Sequence, residues 1–266
     1  MVTRLHGQWG AFTKADVLAL VAAVTLVGGW FACARLGERG RTSTCARNLA
    51  VLGQATHSWA IEHGGSIPPA SIESPLLTWD MQVQHYLRPG LVVSNSAYAQ
   101  RQLEKAVAPR FHCPSDPFVR AEPRSYAMAR HDMQPENWPP GPHNTTGVGL
   151  RWQRASLNTL LDSEAIAAAT TNRDALALVK LSWVPAPADT LLLTELIQPT
   201  SVMGSLLSAT VGNVAEQTTP FKGDASQIHR GRLNYLMVDG HVETLAPFQT
   251  GNAAGNGGIW TIEAGD

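Results

Sequence analysis

The chain has 266 residues, 44% hydrophobic and 15% charged, with a formal net charge of −1. Such a composition can bury a real core, which excludes wholesale disorder, and the charge balance offers nothing to attract a nucleic-acid partner. The 23 glycines and 17 prolines, most of them after residue 64, favour a loop-rich β or α+β globular part over a helical bundle.

Residues 17–34 read VLALVAAVTLVGGWFACA, an uncharged run at the short end of a membrane span. Helical spacing continues beyond it through Leu49, Leu52, Thr56, Trp59 and His63. Gly64-Gly65 supplies a stop, and Pro68-Pro69 reinforces it. The pattern predicts one helix over residues 12–63, ~78 Å long at 1.5 Å per residue. Its first half, about 16–34, is expected in lipid and its second half against a globular domain over 64–266. Gly37 and Gly40 are expected to loosen it.

Further along, Ser125–Met128 is β-prone, and 136–150 reads as a Pro/Gly loop. Leu157, Leu160, Leu161, Ile166 and Ala169 give a helical pattern within 156–180. Thr190–Glu195 is a continuous apolar run that suits a central strand. Residues 198–222 are polar and carry no clear period. Arg232–Val238 and His241–Leu245 read as a hairpin joined by Asp239-Gly240, a type I′ turn pair, with Pro247 ending the second strand. The tail 251–258 (GNAAGNGG) is a loop composition.

Three cysteines occur. Cys33 lies in the apolar run and reads as a small hydrophobe. Cys45 with Cys113 is the pair left for one disulfide in an oxidising compartment; buried thiols are the other reading. His112 beside Cys113 does not suggest catalysis, because adjacent side chains of an extended loop point apart. Glu195, His229, Asp239 and His241 form a cluster of metal-ligand types near the hairpin. It reads either as a Ca²⁺ or Zn²⁺ site, or hydrolase, or as a turn residue, a strand end and a cap. The chain holds no Gly-x-Ser-x-Gly, Walker or His-Glu-x-x-His motif and no EF-hand loop. Of the eight tryptophans, Trp30 and Trp59 belong to the helix; Trp79, Trp138, Trp152, Trp183 and Trp260 read as core or interface anchors.

Gly10-Ala11-Phe12-Thr13-Lys14-Ala15-Asp16, followed by the apolar run, resembles the start of a type IV pilin or type II secretion pseudopilin. Four more segments resemble a subfamily abundant in planctomycetes and verrucomicrobia: Cys45–Leu49, Phe111–Asp116, Ser125–Met128, and His229 followed by nine residues and Asp239-Gly240. The resemblance implies an α+β pilin-like fold, with the long helix packed on a small antiparallel sheet. It implies a leader over 1–11 cleaved by a prepilin peptidase between Ala11 and Phe12, and methylation of Phe12. Asp16 would then pair with the N-terminal ammonium of a neighbouring subunit, which neutralises a carboxylate otherwise costly in lipid. The implied role is a filament subunit rather than an enzyme, with no catalytic residue and no cofactor, Ca²⁺ being the ion favoured by analogy if one is held. Implied partners are other pseudopilin subunits, the peptidase, an inner-membrane assembly platform and membrane lipid. The implied location is the bacterial inner membrane, single-pass, with the C-terminal domain periplasmic. Ala11 in place of glycine, Asp16 in place of glutamate and Lys14 depart from the family pattern. They motivate the alternative of a membrane-tethered binding module that never polymerises; the metal-dependent hydrolase is a third.

Overall fold

A computed structural model describes residues 14–72, 76–88, 97–131, 147–152, 178–219, 228–251 and 258–262. The expected leader with Ala11 and Phe12, nearly all of the 156–180 pattern, most of the 136–150 loop and most of the glycine-rich tail lie outside the described residues. The chain divides into two units, Met1–Gly40 and Arg41–Asp266. The second half of the long helix therefore belongs to the globular unit rather than preceding it.

Helix α1 runs from Lys14 to Glu62 and continues through Gly37 and Gly40 without a break. A Cβ at either glycine would meet nothing within 4 Å, so neither marks a close approach. In the first unit the side chains of Leu20, Val21, Val24, Leu26 and Leu36 are exposed. Asp16 lies in this helix.

Among the described residues no helix is long and apolar enough to cross a membrane. That finding overturns the expected transmembrane first half and the single-pass inner-membrane placement. The uncharged run 17–34 rises ~27 Å as helix, at the short end of a span, and Lys14, Asp16 and Arg35 border it.

In the second unit α1 buries one stripe: Cys45, Leu49, Leu52, Thr56 and Trp59. Spacings of three and four residues put these on one face. Each large apolar side chain so buried contributes about 1.5–3 kcal/mol. Trp59 stacks on His63 at 3.7 Å between ring centroids. Helix α1 then stops at Gly64 and Gly65, both with positive φ (63° and 80°). The Gly65 N–H donates to Ala60 O at 2.8 Å, which closes the helix end in the manner of a Schellman motif.

Among the described residues the sheet has eight strands: β1 (Ser71–Ile72), β2 (Leu77–Thr78), β3 (Tyr126–His131), β4 (Gly149–Trp152), β5 (Leu191–Glu195), β6 (Thr210–Val211), β7 (Leu233–Met237) and β8 (Val242–Leu245). Their order is β2-β1-β4-β3-β5-β7-β8, with β6 also paired to β3. The described residues of this unit also form the short helices α2 (Trp79–Val83) and α4 (Val214–Thr218) and the longer α3 (Ala97–Phe111). The sheet is antiparallel along β3-β5-β7-β8 but parallel between β1 and β4, β3 and β4, and β3 and β6. The fold is thus α+β with a mixed, antiparallel-rich sheet, not the purely antiparallel one expected. The parallel pairs join two- to six-residue segments far apart in sequence, for which no local pattern exists.

Strand β5 is central and all five of its residues are buried, as its apolar run predicts. Strand β7 is buried on both faces. Leu236 lies against α1, where a Cβ on Gly53 would approach its methyls to 3.0 Å. Tyr235, on the opposite face, meets Trp260 edge-on at 6.5 Å.

The β7–β8 hairpin forms where predicted, with a different turn. Asp239 is not among the residues of positive φ, whereas Gly240 has φ 97°. Gly240 N–H donates to Met237 O at 3.0 Å, and Met237 N–H donates to His241 O at 2.9 Å. This is a type I turn closed by a left-handed glycine, a three-residue loop rather than a type I′ pair. Asp239 favours it by accepting from the His241 N–H at 3.0 Å.

Candidate functional site

Helix α1, the segment after α3, the end of β5 and the turn before β7 bring their polar side chains to one buried point. Cys45 of α1 is bonded to Cys113, 68 residues on, with Cα atoms 5.1 Å apart. One helical turn further, Asn48 donates to Pro109 O at 3.3 Å and His112 O at 3.1 Å. It thereby satisfies carbonyls that the C-terminus of α3 leaves without intrahelical donors.

The Cys113-Pro114-Ser115-Asp116 segment turns through an Asp116 N–H to Cys113 O bond of 2.9 Å. The Asp116 carboxylate accepts from Arg120 at 2.6 and 3.0 Å, from the Phe118 N–H and from the Ser125 hydroxyl at 2.6 Å. Ser125 Oγ in turn accepts from the Cys113 N–H at 3.0 Å. The Ser125 N–H donates to Phe111 O at 2.8 Å. The residue just before strand β3 is therefore locked to the disulfide loop.

His229 completes the node. It sits in a run of three positive φ values, His229 (44°), Arg230 (58°) and Gly231 (79°). A non-glycine residue in this region is strained and persists only where its surroundings hold it. Here the ring is held on both nitrogens. Nε2 lies 2.9 Å from Glu195 Oε1 and 3.3 Å from Cys113 Sγ, and Nδ1 lies 2.9 Å from Thr42 Oγ1. Glu195 also accepts from the Asn234 backbone N–H at 2.8 Å and from Asn234 Nδ2 at 3.1 Å. Asn234 Oδ1 accepts from the Thr244 hydroxyl at 2.7 Å.

The side chains of His229 and Glu195 are fully buried. Burying both is tolerable because every oxygen and nitrogen has a partner. Around them, burial and then the charge of Glu195 push the Tyr126 phenol well above its ordinary range. Tyr235 shifts the same way, chiefly by burial. Both phenols remain protonated donors at neutral pH.

The expected quartet of Glu195, His229, Asp239 and His241 does not assemble. Glu195 and His229 join the disulfide, at the β7 end that carries Asn234. Asp239 and His241 stand at the opposite end of β7, in the exposed turn, 2.6 Å apart. His241 also lies 3.4 Å from Glu243. Against partial desolvation, the bonds to His241 lower the Asp239 carboxyl. Against the same cost, its two carboxylate partners raise His241.

Cys45, Asn48, Cys113, Ser125, Glu195, His229 and Asn234 are each at most 3% exposed, so the arrangement fits a structural lock rather than a substrate pocket. It holds four metal-ligand types: the donor atoms of Cys45, Cys113, Glu195 and His229 all lie within 4.8 Å of one another. Sequence reasoning named these four residues but split them between two separate readings. It missed Asn48 and Asn234 as supports. It also missed the Asp80–Arg124 ion pair, 2.6 Å apart and fully buried, whose signal is a lone charge inside the apolar stretch 76–83. A separate open cleft of about 160 Å³ is lined by Arg130, Gln198, Leu206, Ser208 and Glu216 among others. Within it Arg130 pairs with Glu216 at 3.1 Å. Of the tryptophans expected as anchors, Trp79 and Trp260 are buried, Trp183 is half-buried, and Trp138 lies outside the described residues.

No protein-family model, curated protein or solved structure matches the chain.

Proposed function

We propose that the chain is a pseudopilin-like structural subunit that assembles with other copies or with related subunits. One observation carries the reading. A 49-residue helix presents exposed Leu20, Val21, Val24 and Leu26 in one unit and forms a buried core face in the other. Exposed apolar side chains at this density mark a surface that gains free energy when another apolar surface covers it. Copies of the same helix supply such a surface. Asp16 then offers an ion-pair partner to a neighbour's amino terminus, if a peptidase frees Phe12. The reading concerns assembly and places no segment in a membrane.

The buried node supports the same role. It fastens α1 to three other parts of the globular unit, which is what a subunit loaded through its helix needs. Its lack of a solvent opening favours neither hydrolase nor binding module.

N-terminal sequencing and intact mass of the native protein, together with negative-stain microscopy of the assembled material, test the proposal. Filaments, a start at methylated Phe12, and loss of filaments on Leu20→Glu/Val24→Glu are expected. A chain that stays monomeric whether or not these residues are changed would refute it.

A further inference from the structure

The disulfide has two polar side chains packed beside it. It needs neither a histidine nor a carboxylate beside it, yet His229 and Glu195 are buried against it, and His229 is held in a strained backbone conformation to be there. We infer that the reduced chain binds one Zn²⁺ through Cys45 Sγ, Cys113 Sγ, His229 Nε2 and the Glu195 carboxylate. Disulfide and metal are then alternative fasteners of the same four segments. The inference stands apart from the assembly reading and does not depend on it.

The donor set determines the class of ion. Two thiolates, an imidazole and a carboxylate are four donors of the soft-to-borderline kind that Zn²⁺ takes tetrahedrally. Ca²⁺, the ion expected from analogy, requires six to eight oxygens, whereas this set of four side chains offers the two of Glu195. With Zn–S near 2.3 Å and Zn–N/O near 2.0–2.1 Å, the edges of the tetrahedron are about 3.3–3.8 Å. His229 Nε2 already lies 2.9 Å from Glu195 and 3.3 Å from Cys113 Sγ. The largest adjustment is the parting of the two sulfurs once their bond is broken.

An outer shell is in place as well. Ligating histidines are held through their second nitrogen, and ligating carboxylates are themselves hydrogen-bonded. Thr42 Oγ1 lies 2.9 Å from Nδ1, and a hydroxyl can serve either tautomer. It donates to Nδ1 while Nε2–H faces Glu195, and accepts Nδ1–H once the Nε2 lone pair turns to the metal. Asn234 holds Glu195 through its backbone N–H and Nδ2.

The exchange balances as follows. A dithiol reductant gives two electrons and two protons, the Cys45–Cys113 bond breaks to two thiols, and the reductant closes into its own disulfide. Zn²⁺ then displaces both thiol protons to solvent. Neutral His229 shifts its proton from Nε2 to Nδ1 with no net change.

The test uses the full chain and the metal alone. Oxidised and phosphine-reduced protein are dialysed against Co²⁺ as a spectroscopic probe, then against Zn²⁺. The reduced chain is expected to take up one Co²⁺ with thiolate charge-transfer and tetrahedral d–d absorption, and Zn²⁺ to displace it; the oxidised chain takes up none. Thr42→Val, which leaves all four ligands and the disulfide intact, is expected to weaken affinity by about 10–100-fold, as loss of an outer-shell partner does. Glu195→Gln weakens it further, and Cys33→Ala leaves the stoichiometry unchanged. If reduction alone unfolds the chain, refolding in Zn²⁺ restores the native circular dichroism. A folded reduced chain without bound metal, equal uptake by the oxidised chain, uptake that survives Thr42→Val and Glu195→Gln unchanged, dependence on Cys33, or failure of Zn²⁺ to restore an unfolded reduced chain would each overturn the inference.

Discussion

Replacing both Cys45 and Cys113 by alanine should lower the stability of the globular unit by about 4 kcal/mol. The disulfide closes a loop with a sequence separation of 68. In the chain-entropy account, a loop of that length restricts the unfolded chain by roughly 15 cal/mol/K, or about 4.4 kcal/mol at 25 °C. Both cysteines are fully buried, so the alanines also lose some packing, and that loss adds to the cost. Urea unfolding followed by tryptophan fluorescence reads the effect directly, because Trp59, Trp79 and Trp260 are buried. The experiment runs with a chelator present so that no metal substitutes for the bond. Wild type in reductant should fall to the level of the variant, and the variant should ignore reductant. Thiol counting supplies an independent check: three cysteines less the bonded pair leaves one free thiol per oxidised chain and three per reduced chain. A variant within about 1 kcal/mol of wild type, or one that still responds to reductant, would show that the cross-link does not restrain the unfolded chain as argued.

Four further outcomes follow from particular contacts. Asp80→Asn strands the buried Arg124 guanidinium, which keeps only Ser205 O and Leu207 O as partners. It should cost about 3–5 kcal/mol in the same denaturation assay, with a smaller loss in Asp80→Asn/Arg124→Met. Glu216→Gln, which breaks the partly exposed pair to Arg130, should cost at most about 1 kcal/mol. Gly240→Ala should cost about 1–2 kcal/mol, because φ is 97° and the new Cβ would meet His57 Cε1 at 3.3 Å; nitrogen-proton NMR should show the His57 bond to Val238 O disturbed. His241 should titrate above its ordinary 6.5 and Asp239 below its ordinary 3.8 by NMR. The His241 contribution is fully present below pH 6.5 and fades as pH rises through its raised folded value. That of Asp239 is present above pH 3.8 and fades as pH falls through its lowered one. Both groups are over a third exposed, so the pair should be worth only about 0.2–1 kcal/mol, and His241→Ala should abolish that part of the pH dependence.

The elements with a strong local period were legible in the sequence. Helix α1 ends at the Gly64-Gly65 stop, β5 occupies the centre of the sheet as its unbroken apolar run demands, and β7 and β8 form a hairpin around Asp239-Gly240. Three kinds of feature were not. The turn type depends on the sign of φ at Asp239, and the pair Asp-Gly is compatible with more than one turn. The parallel pairs depend on tertiary contact between segments as short as two residues, Ser71–Ile72 and Thr210–Val211, which have no period to read. The quartet of Glu195, His229, Asp239 and His241 does not assemble because the β7–β8 hairpin does not bring His229 to His241. His229 instead lies four residues before the β7 strand, and the strand's length carries Asp239 and His241 away from it.

Why the motif segments converge at a buried point has a physical answer. Sheet and helix faces gain their free energy from apolar contact, which is non-directional and fixes neither register nor rotation. Helix α1 must nevertheless meet β5 and β7 in one register, and because both strands are buried on both faces, no alternation of apolar and polar residues chooses it. Directional bonds supply that choice. Asn234 Nδ2 reaches Glu195 on β5 and, at 3.5 Å, Thr42 O on α1, and its own N–H is taken by Glu195. His229 bridges Glu195 to Thr42. A register shift of any one element would leave a buried carboxylate or imidazole without partners, at several kcal/mol. The node thus selects one arrangement among several that the apolar core alone would accept, and the Cys45–Cys113 bond then holds the helix end of that arrangement in place.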